Sequence, residues 1–302
     1  MLDRMTRKIT VAAAQYNLDP LENIAAYHAK ITRWVEDAVR RGAEILVFPE
    51  YGAMELCSIG NKGRDLEISK VAVSDFYDEI TALHQGLAKK YGVTIISGSA
   101  PDVKAGSTCN TAQVFGPNGA IESFTKIMPT PGEREVWDIQ GGRQLKVFDI
   151  GKVKFGLLIC YDIEFPLLSR ALAEAGAEII LAPSDTETEW GYWRVRTGAV
   201  ARALENQVYT VQAPLIGAAP FCEFTNTHYG AAGIFAPSDK GFPAGGVIAL
   251  GEANMPGWTI ATLDLDAMCA LRGGGQVQTY KHWAEQLGAG PLPHARVIDL
   301  SI

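Results

Sequence analysis

Two stretches of this chain read almost alike. Arg41–Glu50 runs RGAEILVFPE and Ala175–Ser184 runs AGAEIILAPS; each gives a helix end, a glycine, Ala-Glu-Ile, an apolar run, a proline and a polar residue. Such runs are too brief for a helix, and their unbroken apolarity marks strands buried on both faces. The echo therefore points to an α/β fold with two related helix–strand halves. It also sets their strand ends, at Glu50 and Ser184, near one another, where open α/β sheets place their ligands.

The remaining punctuation agrees. KITVAAAQ is a strand candidate, and apolar residues at Ile24, Tyr27, Ile31, Trp34, Val35 and Ala38 predict a helix over 21–41, closed by Gly42. A second helix is expected over 73–90, followed by the strand VTIISGSA. Two hairpins follow, TAQVFGPNGAIESFTK across Pro-Asn-Gly and LKVFDIGKVKFGLLIC across Ile-Gly-Lys, so the sheets are mixed and not purely parallel. Further helices are expected over 166–175 and 192–206, then the strand QVYTVQAP and Gly- and Pro-rich hairpins ending in GWTIATLDLD. No stretch has the composition of a linker. We read residues 1–302 as one domain with its core at about 8–266 and a C-terminal tail over 267–302.

With 47% hydrophobic and 20% charged residues the chain can bury a core, and a net charge of -7 with scattered cations excludes a basic footprint for nucleic acid or an anionic membrane. No apolar run approaches the roughly 20 residues of a membrane helix. MLDRMTRKIT lacks the apolar centre of a leader peptide. Five widely spaced cysteines, with no C-x-x-C pair and no Cys/His cluster of ligand spacing, imply neither a metal nor a disulfide framework and suit a reducing cytoplasm. No cofactor is expected.

Cys160 stands out because it ends the apolar strand KFGLLI and precedes YDIEFP, a plausible helix start with Asp162 near the cap. A thiol there would meet the positive end of a helix, which lowers its pKa and offers oxyanion donors. A buried core cysteine is the ordinary reading of such a residue alone, and it suffices for Cys57, Cys109, Cys222 and Cys269. Of the histidines only His228, in TNTHYG, has a loop-to-strand position that could line a site. Glu50 is the better proton acceptor, since it leaves an apolar strand through a proline into a partly desolvated place that would raise its pKa. Lys126 closes the strand IESFTK.

Taken together, VFPE, FTKIMP and LLICYDIEFP resemble the nitrilase superfamily of carbon–nitrogen hydrolases, over nearly the whole span from ITVAAAQ to ATLDLD. The resemblance implies an α-β-β-α sandwich that dimerises, or forms a higher homo-oligomer, through its helical layer. It implies Glu50 as general base, Lys126 as the essential lysine, Cys160 as nucleophile and the main-chain N–H of Tyr161 as an oxyanion donor. A second glutamate matches Glu133 in PGEREVW, with Glu135 as the competing choice. Arg202, Glu205 and Asn206 in ARALENQVYTV match structural positions of the family.

Tyr161 and Asp162 stand where nitrile-cleaving members often carry tryptophan and glutamate, and Glu164 stands where several branches have arginine. Similarity is greatest to amidase-like members often fused to an acetyltransferase domain. The activity implied is hydrolysis of a small-molecule amide to a carboxylic acid and ammonia through a cysteine thioester. Nitrile or N-carbamoyl amine hydrolysis by the same three residues is the alternative, and an inactive scaffold is the alternative of another class. Tyr51, Trp137, Trp190 and Trp193 are candidates for aromatic pocket walls.

Overall fold

The computed structural model of the protein describes residues 7–104, 106–287, 289–290 and 294–301, so most of the opening stretch read for a leader peptide lies outside the described residues. In chain order its elements are β1 (Lys8–Asn17), α1 (Ile24–Arg40), β2 (Ile45–Val47), α2 (Leu66–Ser74), α3 (Tyr77–Tyr91), β3 (Thr94–Lys104), β4 (Ser107–Phe115) and β5 (Ile121–Thr125). There follow α4 (Pro131–Glu135), β6 (Ile139–Gln140), β7 (Leu145–Asp149), β8 (Lys154–Leu157), α5 (Pro166–Glu174), β9 (Ile179–Ser184), α6 (Glu189–Asn206) and β10 (Tyr209–Ala218). The last are β11 (Thr227–His228), β12 (Gly233–Phe235), β13 (Val247–Leu250), β14 (Gly257–Asp264), α7 (Leu265–Gly274), α8 (Thr279–His282) and β15 (Ala295–Asp299).

The strands form two sheets that meet face to face. One runs β14-β1-β2-β3-β4-β5, the other β15-β7-β8-β9-β10, and β1 joins β10 through Tyr16↔Leu215 and Asn17↔Ile216, so the sheet is nearly closed. Period-2 alternation explains the layers. On β1, Ile9, Val11 and Ala13 enter the core between the sheets, whereas Ala12, Ala14 and Tyr16 pack beneath α1 and α3 with Ile31, Val35 and Ala88. The helices α5 and α6 cover the second sheet, and Gly156 on β8 lets Leu172 of α5 pack closely, its Cδ1 lying 2.7 Å from where a Cβ would sit. This is the α-β-β-α sandwich with mixed sheets.

From β8 through β9, β10, β1 and β2 to β3 every neighbouring pair is parallel; helices connect all of these pairs but β10 and β1, where the two sheets join. The carboxyl ends of β2, β8 and β9 therefore lie on one side of the molecule. They carry Glu50, Cys160 and Asp185.

The helix expected over 73–90 is two, α2 capped by Asp65 and α3, broken at Asp75–Phe76. Apolar spacing alone does not register this break, which lets α2 reach β3, where the Ser74 hydroxyl accepts the Val103 N–H. The segment after Cys160 is a 3-10 turn, Cys160–Glu164, and the α-helix begins only at Pro166, where proline suits a first turn. The segment read as a tail supplies α7 and the strand β15, which pairs in parallel with β7. No helix among the described residues is long and apolar enough to cross a membrane.

A bulge in β3 shapes the turn that bears Glu50. Gly98 sits at φ +79 with its absent Cβ 2.1 Å from the Pro49 carbonyl oxygen, which accepts the Ser99 N–H at 3.2 Å. Gly42 has a similar φ of +83 with open space around it. Gly98→Ala is expected to lose about 3 kcal/mol in chemical denaturation, and Gly42→Ala only about 1 kcal/mol, since the second meets the left-handed penalty without the clash. Equal losses would mean that the close approach to Pro49 has no weight.

Candidate active site

Four segments converge at the strand ends. Glu50 follows β2, Lys126 follows β5, Glu133 lies in α4 and Cys160 follows β8; all four side chains are buried. Lys126 Nζ donates to Glu50 Oε1 at 2.7 Å and to Glu133 Oε2 at 2.6 Å. Asn110 Nδ2 donates to the same pair, at 2.8 Å to Glu50 Oε1 and 3.0 Å to Glu133 Oε1. The main-chain N–H of Asp185 donates to Glu50 Oε2 at 2.9 Å, and the Cys160 thiol donates to the Asp185 carbonyl at 3.4 Å. The two echoing segments thus touch: Glu50 ends one, and Asp185 follows the other.

Local sequence fixes each group. Thr130 and Glu133 form a capping box, the Thr130 hydroxyl accepting the Glu133 N–H at 3.2 Å and Glu133 Oε2 accepting the Thr130 N–H at 2.7 Å, with proline in the first turn. Tyr51 OH holds Glu133 Oε1 at 2.7 Å. Asp162 accepts from Ile159 N at 3.0 Å, Ile127 N at 3.2 Å and Met128 N at 2.7 Å, which ties the turn at Cys160 to the chain just after Lys126. Cys160 and Tyr51 have φ of 50° and 55°, left-handed values that side chains rarely adopt. Cys160 lies three residues past the end of β8 and Tyr51 four past the end of β2, where the chain turns sharply away from the sheet.

Burial dominates the electrostatics. It pushes the Glu50 carboxyl up to about 7, against the pull of Lys126 and with help from Glu133 and Asp185. Burial also opposes the Lys126 charge, but Glu50 and Glu133 outweigh it and hold the ammonium above its ordinary range. At Glu133 burial acts upward, yet Lys126 prevails and keeps this carboxyl low. For Cys160 the expectation of a lowered pKa is corrected: burial, reinforced by Glu50, pushes the thiol well up, and the α-helix end that was to lower it is absent. The resting group is a neutral thiol.

The site opens into a cavity of about 290 Å³ lined by Glu50, Lys126, Glu133, Trp137, Cys160 and Tyr161, among others. Trp137 stacks on Phe224 at 4.1 Å between ring centroids and forms one wall. Tyr51 stands behind Glu133 and does not line the cavity. Trp190 and Trp193 border a neighbouring open groove that shares Glu164 and Arg194 with the cavity but contains none of the convergent site groups. Arg194 Nε approaches Glu164 at 3.7 Å from the exposed side. Glu135 is exposed and Glu133 buried, so the structure brings only Glu133 to Lys126.

Sequence reasoning passed over Asn110, Asp185 and Thr130, and it placed Asp162 near a helix cap without its bonds to the chain after Lys126. The pattern T-P-G-E carried the signal for Thr130 and would have separated Glu133 from Glu135. Asn110 lies mid-strand with no punctuation, and only the pairing of β4 with β5 places it against Lys126, whose N–H bonds its carbonyl at 2.9 Å.

Residues 10–273 match the family described as carbon-nitrogen hydrolase. A probable hydrolase of Bacillus subtilis, YhcX, is 34% identical over 273 residues, which is 90% of this chain and 53% of that protein; the chain thus spans about half of this relative's length. A nitrilase of Pyrococcus abyssi is 33% identical over 69% of this chain and 76% of its own. A deaminated glutathione amidase of Synechocystis is 28% identical over 86% and 94%. Among solved structures, Nit3 of Saccharomyces cerevisiae, a member of the nitrilase superfamily, matches the fold with TM-score 0.70 at 21% identity, covering 88% of this chain and 94% of that one.

The buried ion pairs yield a test of the site's construction. Glu133→Ala leaves Lys126 half-compensated in a dry place and is expected to cost about 3–5 kcal/mol of stability, whereas Glu135→Ala should change it by about 0.5 kcal/mol or less. Urea unfolding of both variants decides, and similar small changes would deny Glu133 its place in the cluster.

Proposed function

The chain belongs to the carbon–nitrogen hydrolase family, and we propose that within it this protein hydrolyses a small amide to a carboxylic acid and ammonia, with Cys160 as nucleophile. The observation that carries the reading is the arrangement of one cavity: a thiol, a carboxylate poised near neutrality and a buried ammonium that bridges two carboxylates.

In this scheme the Cys160 sulfur attacks the amide carbon while Glu50 takes the thiol proton. Coupling the two steps suits a thiol whose resting anion is disfavoured. Charge collects on the carbonyl oxygen, which Lys126 Nζ and the main-chain N–H of Tyr161 face; one fixed donor in a water-poor site contributes roughly 3–4 kcal/mol. Glu50 returns the proton to the departing nitrogen, ammonia leaves, and a thioester remains on Cys160. Glu50 then takes a proton from water, hydroxide adds to the thioester, and the acid departs as the thiol regains its proton. Glu133 and Asn110 keep Lys126 and Glu50 in register.

Relatives bear both amidase and nitrilase names, and an N-carbamoyl amine presents the same carbonyl. Tyr161 and Asp162 favour the amide among these, as the amidase-like resemblance implies. Self-association through the α5–α6 layer belongs to the same proposal, supported by the exposed Leu167, Trp190, Trp193 and Leu204. Five free cysteines suit a reducing cytoplasm.

Three measurements test the chemistry. Cys160→Ala should abolish ammonia release from a panel of primary amides, while Cys109→Ala and Cys269→Ala retain it. Hydroxylamine should divert the acyl group to a hydroxamate, and acid-quenched turnover should leave an acyl adduct on the Cys160 peptide by mass spectrometry. Steady hydrolysis with neither hydroxamate nor adduct would replace the thioester with direct attack by water. The third is pH. Because Glu50 must be ionised to accept the proton, kcat/KM should rise with pH through an inflection near 7, and Glu50→Gln should lower it by roughly 100- to 10,000-fold. An acid limb near 4 would place Glu50 outside the proton transfer.

A further inference from the structure

His228 has no part in the scheme above, yet its side chain is entirely buried behind the site. Nδ1 lies 2.7 Å from Asp185 Oδ1, the other Asp185 oxygen accepts the Thr225 hydroxyl at 2.6 Å, and Nε2 has no hydrogen-bond partner. Asp185 is the residue whose peptide touches both reacting groups, its N–H on Glu50 and its carbonyl on the Cys160 thiol. The β9–β10 ladder ends at Pro214↔Ser184. Beyond it the chain is held at Thr186, whose carbonyl accepts the Tyr229 N–H at 2.8 Å and whose hydroxyl donates to the Tyr229 carbonyl at 2.8 Å, and at Asp185 by the carboxylate that His228 and Thr225 engage.

We infer that His228 is a positioning residue: through its contact with Asp185 it holds the Asp185 peptide against Glu50 and Cys160 and balances the Asp185 charge behind the site. The inference rests on the proposed Cys160 chemistry, but it can be tested apart from it. His228 faces Asp185, Cys222 and Glu187, and Glu50 faces Lys126, Glu133, Asp185 and Cys160. Burial works against a charged imidazole, but Asp185 outweighs it and raises its pKa. Asp185 in turn raises that of Glu50. The signs follow. Without the His228 charge, Asp185 is uncompensated and Glu50 ionises at higher pH; without the Asp185 charge, Glu50 ionises at lower pH.

The experiment measures alkylation of Cys160 by iodoacetamide against pH, located by peptide mapping in the full chain, beside the pH profile of amide hydrolysis. His228→Gln keeps an N–H for Asp185 and loses the charge, and Asp185→Asn keeps the size and loses the charge. The inflection is expected to rise by roughly one pH unit in the first and fall by roughly one in the second. A thermal melt establishes that each variant folds. Should His228→Gln unfold, the double variant His228→Gln/Asp185→Asn removes both charges together, which buried pairs tolerate better than the loss of one, and its inflection should lie above that of Asp185→Asn, close to the wild-type value. Shifts of the same sign in the two single variants, an unmoved inflection in either folded single variant, or a double variant whose inflection coincides with that of Asp185→Asn, would overturn the inference. Wild-type protein that hydrolyses no amide yet shows the opposed shifts would sink the amidase reading and leave the role of His228 standing.

Discussion

The structure turns on one buried ammonium. Lys126 lies buried between Glu50 and Glu133 at the floor of the cavity, and stripping water from three ions costs several kcal/mol for each. Such a cluster survives only if every remaining donor and acceptor is engaged and the surrounding fold is rigid. Asn110, Tyr51, the Thr130 N–H and the Asp185 N–H engage the carboxylates, and each comes from a different segment. The interlayer core, with Val11, Val47, Val114, Leu157 and Leu181 buried, provides the rigid frame. One carboxylate too many for one cation has a consequence: Glu133, with Tyr51 and its capping box, stays ionised, and Glu50 is left near neutrality.

Geometry reinforces this division. The parallel run from β8 to β3 brings strand ends from both sheets to one side, so that residues over a hundred positions apart in sequence meet there. At two of those ends the chain turns through a left-handed residue, Tyr51 and Cys160, each costing about 1–3 kcal/mol. Asp162, with three main-chain N–H groups on its carboxylate, holds the turn at Cys160 against the chain after Lys126. The strain is thus confined to the place where the side chains must point inward.

How far this was legible in the sequence depends on punctuation. Glu50 and Cys160 are marked because apolar strands end abruptly beside them, and the echo between Arg41–Glu50 and Ala175–Ser184 foretold the contact of Glu50 with the residue after Ser184. Glu133 was ambiguous only because the capping box was not read. Asn110, a polar residue inside a strand, carries no local mark, and His228, marked only by its loop-to-strand position, gains meaning from an aspartate 43 positions away. The break between α2 and α3 escaped because apolar periodicity continues across it. The thiol's pKa was misjudged because a strand-to-helix junction was taken to mean an α-helical N-terminus, whereas the chain makes a 3-10 turn first and burial prevails.

That misjudgement bears on the proposed chemistry. A cysteine paired with histidine can rest as a thiolate because the imidazolium stays beside it. Here the neighbour is a carboxylate, and an adjacent thiolate and carboxylate would leave two anions facing a single ammonium that already serves Glu133. The ground state avoids this by keeping the proton on sulfur, bonded to the Asp185 carbonyl at 3.4 Å. Nucleophilicity then depends on an ionised Glu50 to take the thiol proton, and it is greatest toward a carbonyl that takes up the charge, since negative charge is then not concentrated in the pocket. In the proposed chemistry such a site meets oxidants, which attack thiolates, as a thiol, and is most reactive when a substrate completes its charge balance.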